Sequence, residues 1–258
     1  MLILFCALGI GGVVGLLGFG PALLSLPVLL YIKGDSFTSA VLMSLIIGMV
    51  FSSVAGWSRI SDISIKKAAV FFPLAALGSS FGVHYSTSLI EFWRVILLSV
   101  VSFIAVGLIF YRLYKDKVGR RANTQQLSSK ARVVNIFFFL CCSYIVGFLS
   151  AILGVSGGFL MTPLFIVAFS LPLSVAVATS LFLSVVNSII ALFFYYQSQP
   201  LNNFLKLDWY FLLQFLIIGI LGVIVGVKFA KRCPSVVLKK LLAGSLFLLG
   251  LWNLYQVF

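Results

Sequence analysis

The stretch GVSGGFLMTP, Gly154 to Pro163, sets three glycines and a proline inside a long apolar run. A helix that only crosses a membrane has no need of them, because glycine frees the backbone and proline removes a donor from the hydrogen-bond ladder. Backbone that leaves helical geometry at membrane depth is tolerated only where protein buries it or a polar cavity faces it, since hydrocarbon offers no partner to N–H and C=O groups. The stretch therefore reads as a break in a membrane segment and as a place where a ligand could bind.

Composition supports the membrane reading. Of 258 residues, 62% are hydrophobic and 9% charged, a balance foreign to water-soluble domains. Apolar runs of about 20 residues, the length needed to cross the hydrocarbon layer, recur along the chain, so residues 1–258 are expected to form a single membrane domain. The opening MLILFCALG has no Lys or Arg before its apolar run and no small-residue cleavage site after it, so this segment is expected to stay in the mature protein. The net charge of +13 gathers in short loops, notably Arg112 to Arg132 and Lys228 to Lys240, as expected of cytoplasmic loops against anionic lipid rather than of a nucleic-acid surface. Cys6, Cys141, Cys142 and Cys233 lack metal or CxxC spacing and are expected to be buried, inert thiols.

The motif has a counterpart. Residues 11–54 align without a gap to residues 147–190, with 11 identities in 44 positions, among them Gly18/Gly154, Pro27/Pro163 and Ser44/Ser180. Further on, Gly78 and Gly82 meet Gly222 and Gly226 once the extra residues of YYQSQPLNN are allowed for. The chain thus reads as two repeats, about 1–118 and 130–258, joined by a basic linker at about 115–132. Each repeat holds one long run and three ordinary spans: 1–33, 37–57, 67–84 and 92–111, then 133–170, 173–196, 209–230 and 236–257. The fold class expected is an all-α integral membrane protein with about eight transmembrane segments.

If both long runs cross the membrane, the repeats are parallel and Lys and Arg divide 11 to 7 between the two sides. If each run is a hairpin entering and leaving on one side, the repeats are inverted and the division is 15 to 3. The second split obeys the positive-inside rule far better, so inverted repeats with both termini outside are expected.

Helix ends made by such breaks present free N–H groups and a partial positive charge, which suits an anion. Small residues could instead serve close helix packing, but two copies at equivalent positions favour a site. The candidate substrate-binding residues are Gly18, Gly20, Pro21, Pro27, Gly154, Ser156, Gly157, Gly158 and Pro163, with Ser44, Thr179 and Ser180 beside them. Ser184, Asn187 and Ser188, and Ser52 and Ser53 in the first repeat, extend this series of groups able to bond an oxyanion or a neighbouring helix. His84, Arg94 and Asn187 are candidates for gating or coupling, although His84 also suits a membrane interface and Arg94 could snorkel there. One His and five scattered acids compose no catalytic set, and no cofactor or metal site is expected.

Each repeat, then, opens with a glycine-rich break and a proline, followed by a helix carrying an A-x-x-[TS]-S-like step: GFGPALLSLP with AVLMSL, and GVSGGFLMTP with AVATSLF. This resembles the TauE/SafE family of sulfite exporters and related anion transporters over essentially the whole chain. The second copy is the closer; the first has Pro21 in place of a further glycine and Met43-Ser44 in place of Thr179-Ser180. The resemblance implies a transporter of a small sulfur-containing oxyanion, such as sulfite, thiosulfate or an organosulfonate, in a bacterial inner membrane. The partners expected are that anion, membrane lipid and a second copy of the chain in a homodimer, with no nucleic acid. A passive anion channel and a scaffold without transport of its own are the alternatives.

Overall fold

The structure is a computed structural model that describes all residues except Met1, Phe19, 87–90, 119–128, Ser170, 199–206 and Phe258. The middle of the basic linker and most of YYQSQPLNN therefore lie outside the described residues. Within them the chain is helical: α1 Leu2–Leu17, α2 Ala22–Pro27, α3 Phe37–Trp57, α4 Ile65–Ser86, α5 Glu91–Val118, α6 Ser129–Leu153, α7 Gly158–Ala168, α8 Leu173–Ser198, α9 Trp209–Ala230 and α10 Ser235–Val257. Past Pro27, whose missing N–H interrupts the ladder, α2 widens into a π-helical segment, Val28–Lys33. Local signals set several starts: Ser36 Oγ accepts from Ser39 N at 3.4 Å and Asp208 Oδ1 from Phe211 N at 3.0 Å.

Among the described residues, 6 helices are long and apolar enough to span a membrane, within α3, α4, α5, α8, α9 and α10. The expected count of about eight segments includes the two long runs, and each run is divided into two helical pieces: α1 and α2 with its π segment in the first, α6 and α7 in the second. Gly18 at φ 66° and Gly154 at φ 65° end the preceding helices in left-handed geometry. In the first run Ile3–Leu17 and Ala22–Lys33 are shorter than the roughly 20 residues a crossing needs, whereas α6 of the second run has 25 residues. The π segment touches α1, although a straight helix would hold Leu17 and Val28 roughly 16 Å apart; the first run folds back on itself.

The turn carrying Arg59 and the turn carrying Lys231 line one cavity, so both sit at the same end of the bundle. Eight consecutive crossings would have put them at opposite ends. At the other end Lys33 Nζ bridges Asp35 at 3.0 Å and Asp208 at 3.7 Å, joining the π segment to the start of α9.

α1 packs on α9, α6 on α4, α5 on α10, and α3 crosses α8. Lipid tails are as apolar as leucine, so helices in a membrane associate through close contact rather than hydrophobic exclusion. Glycines supply that closeness: Gly11 lies against the Gly219 carbonyl, Gly222 against that of Leu8, Gly78 against that of Tyr144, and Gly147 against that of Ala75. α3 and α8 are the inner pair, 61% buried against 39% or less for the other spans. Burial of the thiols is corrected: Cys141 is exposed and the other three cysteines are half-buried, since an apolar thiol facing lipid needs no protein cover.

Candidate functional site

The two breaks meet between α3 and α8. A Cβ added to Gly158 would strike Ser184 Oγ and come within 3.1 Å of Gly20 N and 3.2 Å of Gly20 Cα. A Cβ on Gly48 in α3 would lie 3.2 Å from Ser156 Cβ and 3.4 Å from Ala22 Cβ. Side-chain-free positions thus let the backbone of 20–22 approach that of 156–158 near the middle of the two innermost helices. Gly157 caps α7 at φ 75°, a conformation that other residues adopt only under strain.

Around this junction Ser52, Ser156, Ser184 and Ser188 are buried, and none of their Oγ atoms has a hydrogen-bond partner. Serines elsewhere in the bundle bond a carbonyl one turn back, as Ser99 does with Val95 O at 3.0 Å and Ser102 with Leu98 O at 2.8 Å. Ser52 and Ser188 follow Gly48 and Ser184 by one helical turn and share their faces. A buried hydroxyl without a partner costs roughly 1–3 kcal/mol.

Other residues singled out from the sequence hold the second break in place. Ser44 Oγ donates to Val41 O at 2.8 Å or Gly154 O at 2.9 Å. Asn187 is a hub: its Oδ1 accepts from Ser79 Oγ at 2.7 Å, and its Nδ2 donates to Ser150 Oγ at 2.8 Å and Ser156 O at 3.4 Å. Ser180 Oγ pairs with Thr162 Oγ1 at 2.7 Å, tying α7 to α8. Thr179 Oγ1 accepts from Ser64 N at 3.1 Å, binding α8 to the turn before α4. Pro21 supplies the carbonyl that caps α2, and Pro163 is buried within α7. Ser53 is exposed on the far face of α3 and bonds Met49 O at 2.8 Å.

The gating candidates separate. His84 is exposed on α4, its ring 6.1 Å from that of Tyr85. Arg94 does not snorkel: it is 9% exposed, with its guanidinium 4.5 Å from the centre of the Phe37 ring. Pro27 lies beside it and away from the junction, around a space of about 10 Å³. That is no more room than one water needs.

A much larger cavity, about 610 Å³, lies at the opposite end, between the first break and the ends of α3, α8 and α9. Leu16, Leu17 and Val177 line it together with Arg59, Asp62 and Lys231. Arg59 Nη2 donates to Gly15 O at 3.0 Å, and a Cβ on Gly18 would come within 2.8 Å of Nη1. Burial lowers the pKa of this guanidinium and the Asp62 charge raises it.

The family model for the sulfite exporter TauE/SafE matches residues 3–252. The chain belongs to the TauE/SafE family. It is therefore a sulfite-exporter-like membrane transporter by family, and its apolar helices make it a multi-pass membrane protein. No curated protein and no solved structure matches the chain.

For this TauE/SafE member, sequence reasoning passed over Arg59, Thr162, Ser79, Ser150 and Tyr195. Only Arg59 carried a signal, as a charge bordering an apolar span. The hydroxyls of Ser79, Ser150 and Thr162 are ordinary in membrane helices until folding sets them beside Asn187 and Ser180.

Proposed function

We propose that the protein is a secondary transporter that moves a small sulfur-containing oxyanion, such as sulfite, thiosulfate or an organosulfonate, across a bacterial inner membrane. The anion binds where the two breaks meet. The observation that carries this reading is the close approach of Gly20 and Gly158 beside four buried hydroxyls without partners. Those hydroxyls can donate to an oxyanion without bringing a fixed charge to mid-membrane. The N-terminus of α7 adds free N–H groups and a partial positive charge.

Helix pairing supports two inverted repeats. Under the sequence alignment, the α1–α9 and α6–α4 contacts exchange, while α3–α8 and α5–α10 map onto themselves. Inverted repeats around one central site suit alternating access. A passive channel needs a path open at both ends, and closure around Arg94 weighs against it. By the positive-inside rule the end bearing Arg59, Lys66, Lys67 and Lys231 is cytoplasmic.

Uptake of radiolabelled sulfite into proteoliposomes tests this reading. Wild-type protein should show saturable flux, and Gly158→Val, which drives a side chain into Ser184 and Gly20, should reduce it to background while the protein still elutes as a folded species. Undiminished flux through folded Gly158→Val would remove the site from the junction.

A further inference from the structure

We propose that Arg59 is a docking residue for the oxyanion at the basic end of the bundle, giving the transporter a higher affinity for its substrate from that side than from the other. This inference rests on the transport reading above and names the residue through which an anion reaches the first break. The guanidinium borders the 610 Å³ cavity and is fixed by its bond to Gly15 O, with Nη1 beside Gly18, where the break begins. An arginine has five N–H donors, so the one bond to Gly15 leaves others for an oxyanion, which the planar fork can grip with two parallel bonds. Around it Leu16, Leu17, Leu173 and Val177 make an apolar wall, against which a charge–charge contact is stronger than in open water.

The other end provides the contrast. Extending the repeat alignment beyond residue 190 sets Arg59 opposite Tyr195 and Gly15 opposite Ala151. The structure supports that register, because Tyr195 OH donates to Ala151 O at 3.2 Å as Arg59 does to Gly15 O. Tyr195 is a neutral phenol, 3% exposed and paired with Ser86 Oγ at 2.8 Å. The same scaffold position therefore carries a cation beside a cavity at one end and an engaged phenol at the other. Asp62 lines the cavity with Arg59 and opposes the docking of an anion there.

Sulfite flux measured in both directions across proteoliposomes of known protein orientation tests the asymmetry. With no other gradient, Vmax/KM is equal in the two directions, so the difference appears in KM. Wild-type protein should show a KM several-fold lower from the basic end. Arg59→Gln should raise that KM about tenfold and leave the KM from the Tyr195 end within about twofold, Arg59→Lys should fall between, and Asp62→Asn should lower the KM from the basic end. Equal KM values in wild type, or an Arg59→Gln change equal on both sides, would overturn the inference while leaving the transport reading intact. If Arg59→Gln does not fold, Asp62→Asn decides: an unchanged KM from the basic end overturns the proposal. Absence of any saturable sulfite flux in wild type would remove the transport reading itself.

Discussion

The two breaks occupy equivalent places in their repeats, yet they are held differently. The second is cross-tied: Ser44 reaches Gly154 O, Asn187 reaches Ser156 O, and Val155 N bonds Ser150 O at 2.8 Å. Among the described residues, the first has mainly its own turn bonds, Gly18 N to Val14 O at 2.7 Å and Ser25 N to Pro21 O at 3.0 Å, plus the reach of Arg59 to Gly15 O. In α3 the counterpart of Asn187 is Phe51, which stacks on Phe215 rather than bonding a break. Thr162, partner of Ser180, likewise has Leu26 as its counterpart. One break is thus fixed to its surroundings by polar bonds, while the other lies in apolar contacts against an open cavity. Segments with fewer buried hydrogen bonds open at lower free energy, so the first break is the element suited to move, and the second is the frame it moves against.

The comparison can be broken at the hub. Asn187→Ala strips partners from Ser79, Ser150 and Ser156 O and should destabilise the protein by about 1–3 kcal/mol, read as a fall of several degrees in thermal midpoint. Stability unchanged in this variant would mean that the second break is not held by its bonds. A smaller effect sharpens the same contrast: by hydrogen exchange, the bonded amides of Leu24 and Ser25 should exchange about tenfold faster than those of Val155, Leu160 and Met161. Equal protection would erase the distinction between mobile and fixed breaks.

Much of the fold was legible in the sequence. The span expected at 37–57 matches α3, and 209–230 matches α9, because each is an uninterrupted apolar run bounded by polar turn residues and a cap, Ser36 or Asp208. Breaks at Gly18 and Gly154 were equally readable, since a left-handed residue followed by proline nine positions later leaves a recognisable frame. Hydropathy said less about the long runs, because two helices joined at a glycine hinge look as apolar as one long span. Within the site, Ser44, Thr179 and Ser180 look alike in sequence to Ser52, Ser184 and Ser188, yet the first three spend their hydroxyls on the structure and the last three do not. That difference depends on which carbonyl or neighbouring helix comes within 3 Å, which helical spacing alone leaves open. Arg59 illustrates the same limit: a charge at a span end reads as a topology signal until folding brings it to Gly18.

The most direct test of an anion site at the junction is sulfite-dependent thermal stabilisation of wild-type protein and of Ser184→Ala, since a ligand that binds only the folded state raises the midpoint with its occupancy. Removing an unpartnered hydroxyl should leave the ligand-free midpoint unchanged or slightly raised, while losing one bond to the anion should demand about tenfold more sulfite for the same shift. Identical sulfite dependence in the two proteins would contradict binding at the meeting point of the two breaks.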